Sequence, residues 1–396
     1  MDILVFLLRY KWVVLFYLGL ILFLIWRKKH LVVQAKVIVL YRTLLGIRFI
    51  RKIAEKYRPW VILFGYIGVG AAYVGLILIS FLLVYNLYNL FAKPDAASGV
   101  SLVLPGINIP GIGVLSFWYW LIAIFVIAVV HEFSHGIVAK AHNLKIKSTG
   151  LVVLGPILGA FVEPDEKKVE KQSDIVQYSI FAAGPFSNIV LGIVALLLFS
   201  LILTPVQNIF LEPTGFSFAE YYGPGYPAEG AGLKPGMIIN EVNDIEVKDF
   251  MDFYDVAYCV KPDEEIVVGT TEGSFSLMTT ESPENPGKSF IGVKTVKNEF
   301  VLKEKYEQSI LYKSLYYVID WLTVFFKWLY LLSLGIGLFN LLPLPIVDGG
   351  RILKLSLEKI HGKDKGTRKF ARWSFLFLLL LLANLLIPAM RWLINL

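Results

Sequence analysis

The chain has 396 residues, 56% of them apolar or aromatic and only 17% charged, with a formal net charge of +7. A water-soluble globular protein carries about 45–50% apolar and about 25% charged residues. Here the excess falls in long uncharged runs, which excludes a soluble enzyme, a disordered chain and a fibrous repeat and leaves a polytopic α-helical membrane protein.

Six stretches are apolar enough to span a bilayer: 3–26, 60–91, 115–139, 176–204, 316–343 and 371–393. The first is interrupted by Arg9 and Lys11, so a half-inserted or interfacial segment is the alternative there. Its basic residues, Arg27, Lys28 and Lys29, follow the apolar run, opposite to the order in a cleaved signal peptide. The next segment, 30–58, mixes apolar positions with frequent Lys and Arg and is expected as an amphipathic helix lying in the membrane interface, or as a solvated linker helix.

Charge is partitioned along the chain. Residues 27–58 hold ten basic residues and one acid, residues 350–372 hold eight basic and two acidic, and 140–175 adds six lysines. By contrast, 204–316 holds nine basic and eighteen acidic residues. With six spans the three basic loops fall on one side, expected to be cytoplasmic, and the acidic block falls on the other. The basic residues are expected to meet lipid headgroups rather than nucleic acid.

Residues 205–310 form the one stretch long enough for a soluble domain. Short strand-forming runs alternate there with Gly, Pro, Asn and Asp, as in a small β-rich domain. The single cysteine of the chain, Cys259, lies in this stretch. It rules out an intrachain disulfide and is expected as a small buried apolar residue.

The third apolar run carries His131, Glu132 and His135 as an H-E-x-x-H motif. On a helix the two histidines, four apart, share one face and can bind one Zn²⁺, with Glu132 as general base. Ionisable residues inside a span are costly and mark function. A self-satisfied polar cluster or a transporter's proton relay is the alternative. A catalytic zinc needs a third protein ligand and an open position. His142 lies seven residues past His135, where the metzincin pattern requires six, so its spacing fails. Glu163 and Asp165 lie in the following loop and are possible but poorly placed. Asp348, in NLLPLPIVDGG (340–350), comes at the inner end of the fifth run, at the depth expected for the histidines. Its prolines imply non-helical backbone, tolerated at membrane depth only where it lines a cavity or is buried in protein.

With these residues in place, the chain resembles the site-2 protease family of intramembrane metalloproteases. The matching positions are His131, Glu132 and His135, then Asn340, Pro343, Asp348 and Gly349 in a pattern resembling N-x-x-P…L-D-G, with Val347 in place of the leucine. Gly184, Pro185 and Asn188 resemble the family's G-P-x-x-N stretch, and 149–162 resembles its membrane-associated β-hairpin. The stretch PAEGAGLKPGMIINEVNDIEV (227–247) is similar to PDZ domains, which bind extended peptides by sheet-edge addition. The resemblance covers about 115–355. It implies one zinc held by His131, His135 and Asp348, Glu132 as base, and Asn340 or Asn188 as an oxyanion or substrate-positioning group. It implies cleavage of a peptide bond in or near a span of a single-span membrane protein, and a peptide or substrate tail bound at the PDZ-like domain. That domain acting as a size filter stays open, and so does the choice of gating helices, for which spans 1, 2 and 6 are candidates. A metal or proton transporter and an inert PDZ-bearing scaffold are the competing functional classes.

The organisation expected from the sequence is therefore 1–112 with two spans and a basic linker, 113–204 and 311–355 as catalytic core, 205–310 as the PDZ-like domain, and 356–396 with the last span.

Overall fold

A computed structural model describes residues 10–28, 31–34, 38–92, 103–106, 108–109, 112–155 and 157–394. The chain separates into two compact units, one of residues 1–199 with 324–396 and the other of Ser200–Thr323.

The first unit is mainly helical, with one four-stranded sheet. Among the described residues, five helices are long and apolar enough to cross a membrane: Arg58–Ala92, Phe117–Ala141, Asp174–Phe210, Ile310–Phe339 and Lys363–Pro388. The expected first span is represented by helix α1 (Lys11–Trp26), only 16 residues long. The beginning of that expected span lies outside the described residues.

The interfacial helix expected over 30–58 forms only in part. Residues 31–43 instead make strands β1 (Leu31–Gln34) and β2 (Ile38–Thr43), and helix α2 (Ile47–Lys56) follows. The β-branched runs LVV and VIV explain the difference. They suit a pleated strand, and β2 finds a partner over 100 residues downstream, which no local pattern reveals. That partner is β3 (Ile146–Leu154), which also forms a hairpin with β4 (Ile157–Pro164). The sheet order is β1-β2-β3-β4, so β3 is covered on both edges, while β1 and β4 lie at the ends. Helix α2 keeps the expected amphipathic character. It buries Ile50 and Ala54 and exposes Arg48, Arg51, Lys52 and Lys56.

Helix α3 (Arg58–Ala92) is apolar all round and buries Gly65, Gly68, Ala72 and Gly75 along one face. Small residues at this spacing let helices approach closely in a membrane. A Cβ on Gly68 would meet Phe186 at 3.2 Å, and one on Gly65 would meet Ser179 at 3.1 Å, both residues belonging to helix α5 (Asp174–Leu198). Helix α4 (Phe117–Ala141) packs between α5 and the β3–β4 hairpin. Its Ala141 carbonyl accepts from Arg58 Nε at 2.9 Å, which places the start of α3 beside the end of α4.

In the second unit a sheet runs β8-β7-β6-β5-β9, formed by β5 (Leu211–Tyr221), β6 (Ile238–Val242), β7 (Glu265–Thr270), β8 (Gly273–Met278) and β9 (Val293–Leu302). Phe216, Phe218, Leu233, Ile239, Val242, Ile266 and Val268 fill its core. Helix α6 (Phe250–Tyr258) is capped by Asp249, whose side chain accepts from Asp252 N. The backbone N–H of Phe250 donates to Asn298 of the edge strand β9 at 3.0 Å. A cavity of about 290 Å³ lies among α6 residues Phe253, Tyr254 and Tyr258 and the segment Ser289–Val293. Cys259, expected to be buried, is exposed: α6 ends at Tyr258 and leaves the thiol at its C-cap, off the packed face. Asp320 of helix α7 (Ile310–Phe339) accepts from Gln207 at 2.8 Å.

Two further helices end the chain, α8 (Asp348–His361) and α9 (Lys363–Ile394). Asn384 of α9 bridges to α3. It accepts from Asn86 Nδ2 at 2.6 Å and donates to the Leu83 carbonyl at 3.2 Å. Replacing it by leucine (Asn384→Leu) is expected to cost about 1 kcal/mol, read as a lowered thermal midpoint of the detergent-solubilised protein.

Candidate metal centre

The site is built where three helix positions meet. His131 and His135 lie one turn apart on α4, and Asp348 is the first residue of α8, where a negative charge also suits the helix N-terminus. Asp348 Oδ2 lies 3.1 Å from His131 Nε2 and 3.3 Å from His135 Nε2, and the two Nε2 atoms are 3.1 Å apart. All three residues offer a ligand atom within 4.8 Å of the others. His131 is 8% exposed.

Second contacts fix the histidine rings. His135 Nδ1 donates to the Ile180 carbonyl of α5 at 2.6 Å, leaving its Nε2 lone pair for the cluster. His131 Nδ1 lies 3.0 Å from the side-chain amide of Asn188, also on α5 and fully buried. Asn188 Oδ1 otherwise has no hydrogen-bond partner. A half-turn of that carboxamide pairs Oδ1 with Nδ1–H and turns the second Nε2 lone pair inward. Two imidazole lone pairs and a carboxylate then converge, an arrangement that repels itself unless a cation lies between. An N₂O donor set with room for one more ligand suits Zn²⁺. The backbone leaves space for it. A Cβ on Gly184 of α5 would stand 2.3 Å from His135 Nε2 and 2.6 Å from His131 Nε2.

Asp348 is held by its own loop. Gly349 N donates to the Asn340 carbonyl at 2.8 Å. A Cβ at Gly349 or Gly350 would run into the carbonyls of Leu341 and Leu344, so only glycine allows α8 to start this close to the turn. Pro343 and Pro345 keep 341–347 from continuing α7, and Pro343 O accepts from Ser374 Oγ at 2.8 Å.

The remaining sequence candidates fall elsewhere. Glu163 accepts from Ser148 Oγ at 2.6 Å and pairs with Arg42 at 3.3 Å. Asp165 pairs with Lys147 at 3.2 Å, and the hydrogen bond from that lysine holds its carboxyl below the usual range. His142 lies 3.5 Å from Ser179 Oγ. Asn188 meets a histidine ring rather than open space. The side chain of Asn340 makes no hydrogen bond among the described residues and is half-buried. Glu132 Oε2 accepts from the backbone N–H of Val162, on β4, at 3.2 Å. Lys327, a charge within α7, donates to the Ile112 carbonyl at 2.9 Å. The partners Ile180 and Val162 could not be read from the sequence, because both act through the backbone.

The family description of peptidase family M50 matches residues 119–383, two thirds of the chain and all of this site. The chain belongs to peptidase family M50. This is the site-2 protease family indicated by the order of the motifs. The uncharacterized protein MJ0971 of Methanocaldococcus jannaschii is 28% identical over 316 residues, covering 78% of this chain and 74% of that one. The zinc metalloprotease RasP of Shouchella clausii is 29% identical over 249 residues, or 51% of this chain and 56% of RasP. The regulator of sigma-W protease RasP of Bacillus subtilis is 28% identical over 246 residues, with the same coverage. The chain thus spans about half the length of the RasP proteins it matches.

If Gly184 makes room for the ion in this M50 chain, Gly184→Ala is expected to weaken zinc retention by about 10-fold or more. Metal analysis of the purified protein against a graded chelator checks this.

Proposed function

We propose that this M50 protein is a zinc-dependent intramembrane endopeptidase that hydrolyses a peptide bond in or near the span of a single-span membrane protein. The observation that carries the reading is the convergence of His131, His135 and Asp348 beside Glu132 within an apolar helix bundle. His131, His135 and Asp348 hold the ion.

When bound, zinc acidifies a water molecule and polarises a carbonyl. Glu132 takes a proton from the attacking water and passes it to the departing amide nitrogen. Asn340, whose amide is free, donates to the oxygen on which charge develops. Asn188 orients His131 instead of touching substrate. A helical substrate hides its scissile amide and must unwind. Strand β4, at the end of its sheet, offers main-chain groups along which an extended segment can pair.

In this reading the basic loops are cytoplasmic, and α1 completes a sixth span with residues outside the described ones. Residues 205–310 form a PDZ-like extracytoplasmic domain. Its edge strand β9 beside α6, with the aromatic-lined cavity between, supports a peptide groove.

Three substitutions test the roles against a reconstituted single-span substrate. Glu132→Gln is expected to keep its zinc and lose cleavage by about 10²–10⁴-fold, and normal turnover would remove Glu132 as base. Asp348→Ala is expected to lose zinc; full occupancy would show that the third ligand lies elsewhere. Asn340→Ala is expected to lower kcat by about 10²–10³-fold, and an unchanged kcat would end the oxyanion assignment.

A further inference from the structure

Glu132 is the one member of the H-E-x-x-H motif whose side chain is held by a strand rather than by a helix or by Asp348. The donor is the N–H of Val162. An N–H donating to helix α4 is turned away from β3, so the main-chain groups of Val162 face the open side of β4. The contact therefore exists only while β4 lies close along α4.

One position sets that distance. Gly136 follows His135 directly, and a Cβ there would stand 2.7 Å from Val162 Cγ1 and 3.2 Å from Ile50 Cδ1 of α2. Val162 and Ile50 are both buried, and they belong to one apolar cluster with Val138 and Ala139. Further along, a Cβ on Gly159 of β4 would stand 3.8 Å from Ala128 Cβ, so the strand tracks α4 for more than two helical turns. Any side chain at 136 would push Val162 outward and stretch a hydrogen bond already at 3.2 Å.

We infer that Gly136 and Val162 are positioning residues for the general base: the Gly136–Val162 contact seats β4 so that the Val162 amide aims the Glu132 carboxylate. This rests on the reading of Glu132 as base. It also gives β4 a limit as a docking edge. A peptide pairing along β4 finds the Val162 N–H already engaged, so the ladder stops at Glu132, and the substrate residue reaching that point is the one presented to the base.

Three variants of the full-length protein in lipid vesicles test it, with kcat, KM and zinc content read for each. Val162→Pro removes the N–H but leaves the ladder to β3, because that N–H faces away from it. It is expected to keep zinc and KM and to lose kcat by about 10²-fold, as for a misplaced catalytic group. Gly136→Ala is expected to lower kcat similarly with zinc retained. The double variant Gly136→Ala with Val162→Ala, which gives back the space, is expected to recover most of that loss.

An unchanged kcat in Val162→Pro overturns the inference. So does a raised KM with normal kcat, which would make the amide a substrate contact, and so does loss of zinc from Gly136→Ala, which would route the effect through His135. Failure of the double variant to recover overturns the part played by Gly136. If Glu132→Gln itself turns over normally, the functional reading fails instead. If Glu132→Gln is dead while these variants keep their kcat, only this inference fails.

Discussion

The structure depends on the placement of one carboxylate between two imidazoles inside an apolar helix bundle. Asp348 Oδ2 stands within 3.3 Å of both His131 and His135. Charged and polar groups in such a setting are expensive unless paired, and every neighbouring element bears a mark of that requirement. Helix α5 contributes a glycine where a side chain would obstruct the site, a carbonyl for one ring and a carboxamide for the other. Helix α8 begins at the aspartate itself, and the two glycines that follow let it start against a turn. The bundle is packed around this point, and its small-residue faces on α3 and α5 bring the supporting helices close enough to hold it.

Much of this was legible in the sequence. The H-E-x-x-H and N-x-x-P…D-G motifs are short, local and chemically specific, so His131, Glu132, His135 and Asp348 could be named from residue type and spacing. Long apolar runs likewise show helices, because every backbone group in a span must be satisfied internally. What stayed hidden was non-local. Strand β2 reads as part of an amphipathic helix until β3 is known to lie beside it. Asn188 reads as a free polar group in a family motif until the ring of His131 is seen 3.0 Å away. Val162 carries no signal, since its contribution is an amide that every residue but proline possesses. Cys259 was misjudged because burial was inferred from residue type, whereas its exposure is set by where α6 ends.

The second unit obeys different physics. Its core of Phe216, Phe218, Leu233, Ile239 and Ile266 is that of a β-rich domain, with an aromatic cavity between a helix and the segment leading into an edge strand. In the sequence, acidic composition and turn chemistry set residues 204–316 apart from the apolar runs around them, because a charged exterior suits water and an apolar one suits lipid.

The four-stranded sheet has one more consequence. An isolated β-hairpin has two open sides, and each is a template for another chain. Here the N-terminal strands occupy one side: β2 lies against β3, and the sheet ends there in β1, only four residues long. The eight-residue β4 is left as the long edge, and it is the one that reaches the metal helix. The segment before the first long span thus works as a guard. It covers β3 with β2, so that two copies of the hairpin cannot zip together through β3, and it leaves β4 as the edge whose Val162 N–H reaches Glu132.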